Sequence, residues 1–289
     1  MSAASLGYLL AFLSAAAGAV RYNCAVFAQD RGLPPVPFLA LSLVVGLALS
    51  AGHVAVRDGG RGFVPLAGRW KQALLYGVLM GWGTLAHFLA LEDLNEVAVT
   101  GLSQTSILLT VALAVWLLGE RFTLVEWAAT AVIFAGVFLF RPWEAVRLKG
   151  FLILMSGVLA GAFSTIGAKR WVAGVPPRVL MVWRNAVALV LVGTWAAFGE
   201  RPVLTLPAIL ACAAAGVMGP WLHGLFFLQA LERIDASKAS LMNRVQPAIV
   251  FLISWLALAR IPSAADTGSA ALLVAGTVWL AAARRPRRP

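Results

Sequence analysis

The chain is 289 residues long, 61% hydrophobic and 12% charged, against about 45–50% apolar residues in an ordinary soluble domain. That balance excludes a soluble globular domain, and apolar runs that are continuous rather than alternating argue against a membrane β-barrel. The net charge of +11 does not indicate nucleic acid, because the basic residues sit at the edges of apolar runs, as the positive-inside rule requires.

A hydrocarbon core about 30 Å thick takes roughly 20 apolar residues per helix. Candidate spans lie at about 6–28, 35–56, 73–91, 97–118, 124–140, 150–171, 178–198, 207–229, 237–258 and 266–283. The first, with Ser14-Ala15-Ala16-Ala17 after Leu6–Leu13, could be taken for a signal peptide. No Lys or Arg precedes it and the segment recurs from Gly150, so a retained helix is expected. It carries Arg21, in its outer third, where the side chain could snorkel. Cys24 and Cys212 both lie within spans, so a disulfide framework is not suggested.

The third span contains Gly77, Gly81 and Gly83 and carries Tyr76, Trp82, Thr84 and His87. In the eighth, Gly216, Gly219, Pro220 and Gly224 accompany Trp221, His223 and Phe227. Interrupted helices in corresponding positions of two halves point to a transporter's site, and tight glycine packing is the alternative. The aromatic residues either line a pocket or pack between helices. His87 and His223 could exchange protons near neutral pH, although no carboxylate lies mid-span to share in a relay.

The fourth span carries Thr100, Ser103, Gln104 and Ile107; the ninth carries Ser240, Asn243, Arg244 and Pro247, with Gln246 beside them. Both sets follow the i, i+3, i+4, i+7 spacing of one helix face. Pro247 should free a carbonyl one turn earlier for a substrate or water. The alternative is that small polar residues simply hold helices together. Arg244 and, in the seventh span, Arg184 lie roughly 8–12 Å deep at 1.5 Å per residue. With no Asp or Glu at that depth, two readings stay open. The guanidiniums are neutralised by carbonyls, helix C-termini or water, or at least one awaits an anionic substrate group.

The two halves repeat one another. At an offset of 140, Leu91-Glu92 matches Leu231-Glu232, Thr100 Ser240, Ser103 Asn243, Gln104 Arg244, Thr123 Ser263 and Gly136 Gly276. At 143, Gly7-Tyr8-Leu9 and Ala17-Gly18-Ala19 match Gly150-Phe151-Leu152 and Ala160-Gly161-Ala162. We divide the chain into residues 1–143 and 144–289, the second including the basic tail Arg284-Arg285-Pro286-Arg287-Arg288. Five spans per copy is an odd number, so the copies must enter the membrane from opposite sides. The expected fold is all-α, ten transmembrane helices in two inverted-topology repeats. Fourteen basic residues fall on one side against six on the other, with three in spans, which places both termini in the cytoplasm.

Leu117-Leu118-Gly119-Glu120-Arg121-Phe122-Thr123 resembles the "LGER-x-T" signature of the EamA-type half of the drug/metabolite transporter superfamily. Gly136 sits where that family has a fifth-helix glycine, and Val245-Gln246-Pro247 resembles its ninth-helix proline segment. The sequence departs from the pattern at Ile107, where proline is usual, at Ala259-Arg260-Ile261-Pro262, which lacks the glutamate, and in a first span without tryptophan. The resemblance implies a secondary transporter of the inner (plasma) membrane, often an exporter of amino acids or other small metabolites.

The expected cargo is an amino acid or related carboxylate, contacted by Arg244, Asn243, Gln104 and Ser103. Trp82, His87, Trp221 and Phe227 would line the pocket, with Arg184, His223, Tyr76 and Gln246 as further intramembrane polar residues. A drug or an unrelated metabolite is the alternative cargo, and a non-transporting membrane partner the alternative class. Neither enzymatic activity nor a cofactor nor nucleic acid is expected, and no nucleotide-binding P-loop is present. The partners expected are a small-molecule substrate and the lipid bilayer, with a homodimer left open. Glu120 and Arg121 are expected to brace the end of the fourth span rather than touch substrate.

Overall fold

A computed structural model describes residues 2–60, 68–90, 93, 94, 99, 102, 103, 105–139, 147–199, 202–258 and 264–283. Among them there is no strand. The helices are α1 (Ala3–Gln29), α2 (Pro35–Asp58), α3 (Trp70–Ala90), α4 (Ser106–Leu118), α5 (Leu124–Leu139), α6 (Leu148–Trp171) and α7 (Pro177–Ala197). The eighth span is composite: α8 (Leu206–Gly216), a π-helical segment Val217–His223 and α9 (Gly224–Arg233). So is the ninth, with α10 (Ala236–Met242), a 3-10 turn Asn243–Val245 and α11 (Gln246–Leu258), before α12 (Ala264–Ala282). Among the described residues, six helices are long and apolar enough to cross a membrane, the eighth span among them as Leu206–Arg233. Leu152, Val190, Trp255 and Val278 are exposed on the outside of the bundle, where hydrocarbon would solvate them.

Lipid tails are as apolar as leucine, so helix association relies on close packing and interhelical hydrogen bonds. Glycine supplies the closeness. A Cβ at Gly77 would lie 2.4 Å from Val187 on α7, and one at Gly157 would lie 2.6 Å from Ala86 on α3. The glycines of α3 therefore do not interrupt it. The helix runs unbroken, since interior glycine costs only about 1 kcal/mol and the near approach to α6 and α7 offsets it. In the eighth span the expected interruption is present as the π-helical segment around Pro220, whose missing N–H disturbs the regular ladder.

The packing has a regular plan. α1 lies antiparallel to the eighth span, Gly7 against Ile234, Ser14 against His223 and Arg21 against Gly219. α3 lies likewise against α6, with Gly83 beside Gly157 and Tyr76 beside Trp171. α2 pairs antiparallel with α7 through Asp58–Arg178 and Ser50–Asn185. α5 pairs with α12, Gly136 meeting Ser269 and Gly276 meeting Ile133. The Ser269 hydroxyl donates to the Gly136 carbonyl at 2.6 Å.

The signature segment does structural work at the end of the bundle where α1 begins. Gly119 takes the left-handed conformation at φ 67° that stops α4. The Glu120 carboxylate accepts from the backbone N–H of Ala236 (2.7 Å) and Ser237 (3.1 Å) and from the Ser237 hydroxyl. It therefore caps α10, in the other half of the chain, which goes beyond the expected bracing of the fourth span. Thr123 and Glu126 form a reciprocal capping box at the start of α5 (2.8 and 3.2 Å). Lys238 then bridges Glu126 (2.7 Å) and Asp235 (3.1 Å). Lys169 caps the C-terminal end of α9 through the Ile234 carbonyl at 2.7 Å, and Arg170 donates to Leu117 at the end of α4 at 2.6 Å. Cations at helix C-termini are favourable on dipole grounds as well.

Candidate functional site

The bundle holds a small cavity of about 50 Å³ with a mixed polar and apolar lining, room for a water or two. It is lined from both halves of the chain, by Arg21 of α1, Met80 and Thr84 of α3, Arg184 and Asn185 of α7, and Gly219, Pro220 and His223 of the π-helical segment. Leu39, Leu43 and Val192 complete an apolar wall.

Glycines of the eighth span shape the floor for two guanidiniums. A Cβ at Gly219 would lie 2.1 Å from Cδ of Arg21, and one at Gly224 would lie 2.4 Å from Nη2 of Arg184. No larger residue leaves these slots open. Arg184, 6% exposed, donates from Nη2 to the Pro220 carbonyl (2.7 Å) and to Oδ1 of Asn185 (2.8 Å). Asn185 donates in turn to Ser50 (3.1 Å) and to the Pro220 carbonyl (3.0 Å), and the Tyr76 hydroxyl stands beside Arg184. Arg184 thus has the first arrangement left open by the sequence, a guanidinium settled on a backbone carbonyl, which limits the cost of burying it.

Arg21 is different. Its guanidinium lies 5.7 Å from the Tyr22 ring centroid and makes no hydrogen bond or ion pair to any described residue. Among the described residues, no carboxylate lines the cavity. A half-buried cation lining a cavity, with no anion from the described residues beside it, can receive an anion.

The other expected residues are distributed as follows. His223 lines the cavity and is held on α1, with Nδ1 2.9 Å from Oγ and 2.8 Å from the carbonyl oxygen of Ser14. Phe227 stacks on the His223 ring with centroids 6.4 Å apart. Gln246 reaches the same place on α1, its Oε1 and Nδ1 of His223 both closing on Gly18. Trp82 points to α6 and donates to Ser156 at 3.1 Å, Tyr76 packs edge-on against Trp171, and Trp221 packs edge-on against His53. His87 is bound to its own helix through Nδ1 and the Gly83 carbonyl at 2.6 Å. These last four side chains do not line the central cavity.

The ninth-span stripe is divided by its own proline. Pro247 lacks an N–H for the Asn243 carbonyl, and the N–H of Gln246 takes that carbonyl instead, closing the 3-10 turn. The freed acceptor expected from the sequence is therefore occupied. Arg244 donates from Nη2 to Ser106 on α4 at 3.1 Å, so the fourth and ninth spans do meet, and neither residue lines the central cavity. Asn243 Oδ1 is buried and accepts no hydrogen bond within the described residues. Ser103 is half-buried near the start of α4, whereas Gln104 and Thr100 lie outside the described residues. The sequence places Arg21 in the outer third of its span, where it could snorkel, whereas in the fold its stem lies against Gly219 of the eighth span.

A bundle of apolar helices with a cavity lined from both halves of one chain fits a membrane transporter of small molecules. A profile of the EamA-like transporter family matches residues 5–141 and again 148–282, and the chain belongs to that family, within the drug/metabolite transporter superfamily. A solved crystal structure, described only as that of a protein, is similar in fold, with a TM-score of 0.81 at 18% identity. The likeness covers 95% of this chain and 96% of the other. No curated protein matches.

Proposed function

We propose that the protein is a secondary transporter that exports small carboxylate-bearing metabolites, amino acids foremost, across the inner (plasma) membrane. It works by alternating access of two five-helix repeats of opposite topology, with both termini in the cytoplasm. The observation that carries the cargo class is Arg21, a central guanidinium with no acceptor among the described residues, facing a cavity without a carboxylate. The repeat topology is supported by the packing plan, in which α1 on the eighth span and α3 on α6 are the same pairing with the halves exchanged. The cavity, about 50 Å³, is too small for an amino acid, so loading requires the halves to move apart.

The test is binding. Ligand-dependent thermal stabilisation of the purified full-length protein is measured with a panel of amino acids, for wild type, Arg21→Gln and Arg244→Gln. Charged hydrogen bonds of about 1.5–3 kcal/mol predict that Arg21→Gln weakens affinity by roughly 10- to 100-fold, with Arg244→Gln affecting it far less. Equal affinity in wild type and Arg21→Gln overturns the role of Arg21. Stabilisation lost in Arg244→Gln alone returns the carboxylate contact to the ninth span. Stabilisation by drugs or neutral metabolites but by no amino acid overturns the cargo class.

A further inference from the structure

The contacts of His223 fix which of its nitrogens carries the proton, and this bears on the substrate. The Ser14 hydroxyl donates to the His223 carbonyl at 3.0 Å, so its oxygen can only accept from the imidazole. The Ser14 carbonyl, 2.8 Å from Nδ1, is an acceptor in any case. Two acceptors converge on Nδ1, and Nδ1 must therefore be the protonated nitrogen of the neutral ring. Nε2 is then an open lone pair, with no hydrogen-bond partner among the described residues. With Nδ1 turned to α1, Nε2 is the ring nitrogen left for a ligand in the cavity that His223 lines. Phe227, stacked one helical turn away at an interplanar angle of 8°, holds the ring's plane.

The other side-chain groups around the cavity differ in kind. Arg21 and Arg184 donate only. The Nδ2 group of Asn185 is occupied by Ser50 and Pro220, its Oδ1 by Arg184, and the Pro220 carbonyl already receives two donors. Thr84 spends its proton on the Met80 carbonyl at 2.9 Å. A ligand that offered only an anion would satisfy Arg21 and leave Nε2 desolvated beside it, which is costly.

We propose that His223 is a specificity-determining residue, its Nε2 accepting a hydrogen bond from a donor group adjacent to the substrate's carboxylate. The site is thereby set for α-amino and α-hydroxy acids over plain carboxylic acids. The proposal rests on the reading of the central cavity as a carboxylate site. Asparagine at this position places an N–H near where Nδ1 stands and provides nothing at Nε2, so the contact with Ser14 is retained while the acceptor is lost.

The test is counterflow into proteoliposomes with two matched triples, alanine, lactate and propionate, and phenylalanine, phenyllactate and phenylpropionate. Wild type is expected to favour the amino and hydroxy members over the plain acid by roughly tenfold or more, as sites built around a hydrogen bond do. His223→Asn is expected to reduce that preference below about twofold while still moving the plain acid. Equal rates across a triple in wild type, or a preference unchanged in a folded His223→Asn, overturn the proposal and leave the carboxylate reading standing. If no member of either triple is moved, both fail. The wild-type comparison decides the matter even if the variant does not fold.

Discussion

Arg21 shows how a single side chain depends on an absence elsewhere. Its stem lies in a slot that exists because residue 219 has no Cβ, so the position of the guanidinium is set by a glycine on the facing span. Gly219→Ala is expected to displace Arg21 and reduce amino-acid affinity at least about tenfold, with the helical content of the protein unchanged by circular dichroism. Gly224→Ala does the same to Arg184, whose bonds to Pro220 and Asn185 hold the π-helical segment on α7. Its expected outcome is a lower melting temperature first and weaker binding second. The sequence makes Arg184 and Arg244 conspicuous by depth alone. It hides Arg21, because reach across a bundle depends on which spans are neighbours, and that is a tertiary fact.

At the scale of elements, the signature from Gly119 to Thr123 was legible as a marker, and the structure supplies its physical content. Gly119 ends α4, Thr123 starts α5 and Glu120 caps α10. Removing a cap of this kind costs about 1 kcal/mol, so Glu120→Ala should lower the melting temperature by a few degrees while leaving substrate affinity within about twofold. A loss of affinity at unchanged stability would contradict a purely structural role. The glycines of the third and eighth spans looked equivalent in the sequence and are not. Those of α3 bring it against α6 and α7 without a break, whereas Pro220 turns the eighth span into a π-helical segment. The stripe read from Ser240 to Pro247 assumed one continuous helix. The 3-10 turn Asn243–Val245 sets its two ends on different helices, and Arg244 binds Ser106 instead of lining the cavity.

At the scale of the whole molecule, duplication was the most readable feature, because equivalent glycines and polar residues recur at fixed offsets. The fold uses it through contacts that pair equivalent helices, α2 with α7 and α5 with α12. Gly136 and Gly276, equivalent in the repeat, each take the other half's helix at close range. Gly276→Val is therefore expected to separate α5 from α12 and destabilise the protein, measured by thermal unfolding in detergent. The end at which α1 begins is held between halves by Glu120 on α10 and by Lys238 on Glu126. Any opening there must release those bonds.

Whether this bundle moves carboxylate-bearing metabolites through a cavity centred on Arg21 is decided by counterflow of labelled amino acids in proteoliposomes. Wild type and Arg21→Gln are compared at equal reconstitution. Saturable accumulation of particular amino acids is expected in wild type, and its loss, about tenfold or more, in Arg21→Gln. Accumulation that is undiminished in the variant, or vesicles that move drugs but no amino acid, would contradict it.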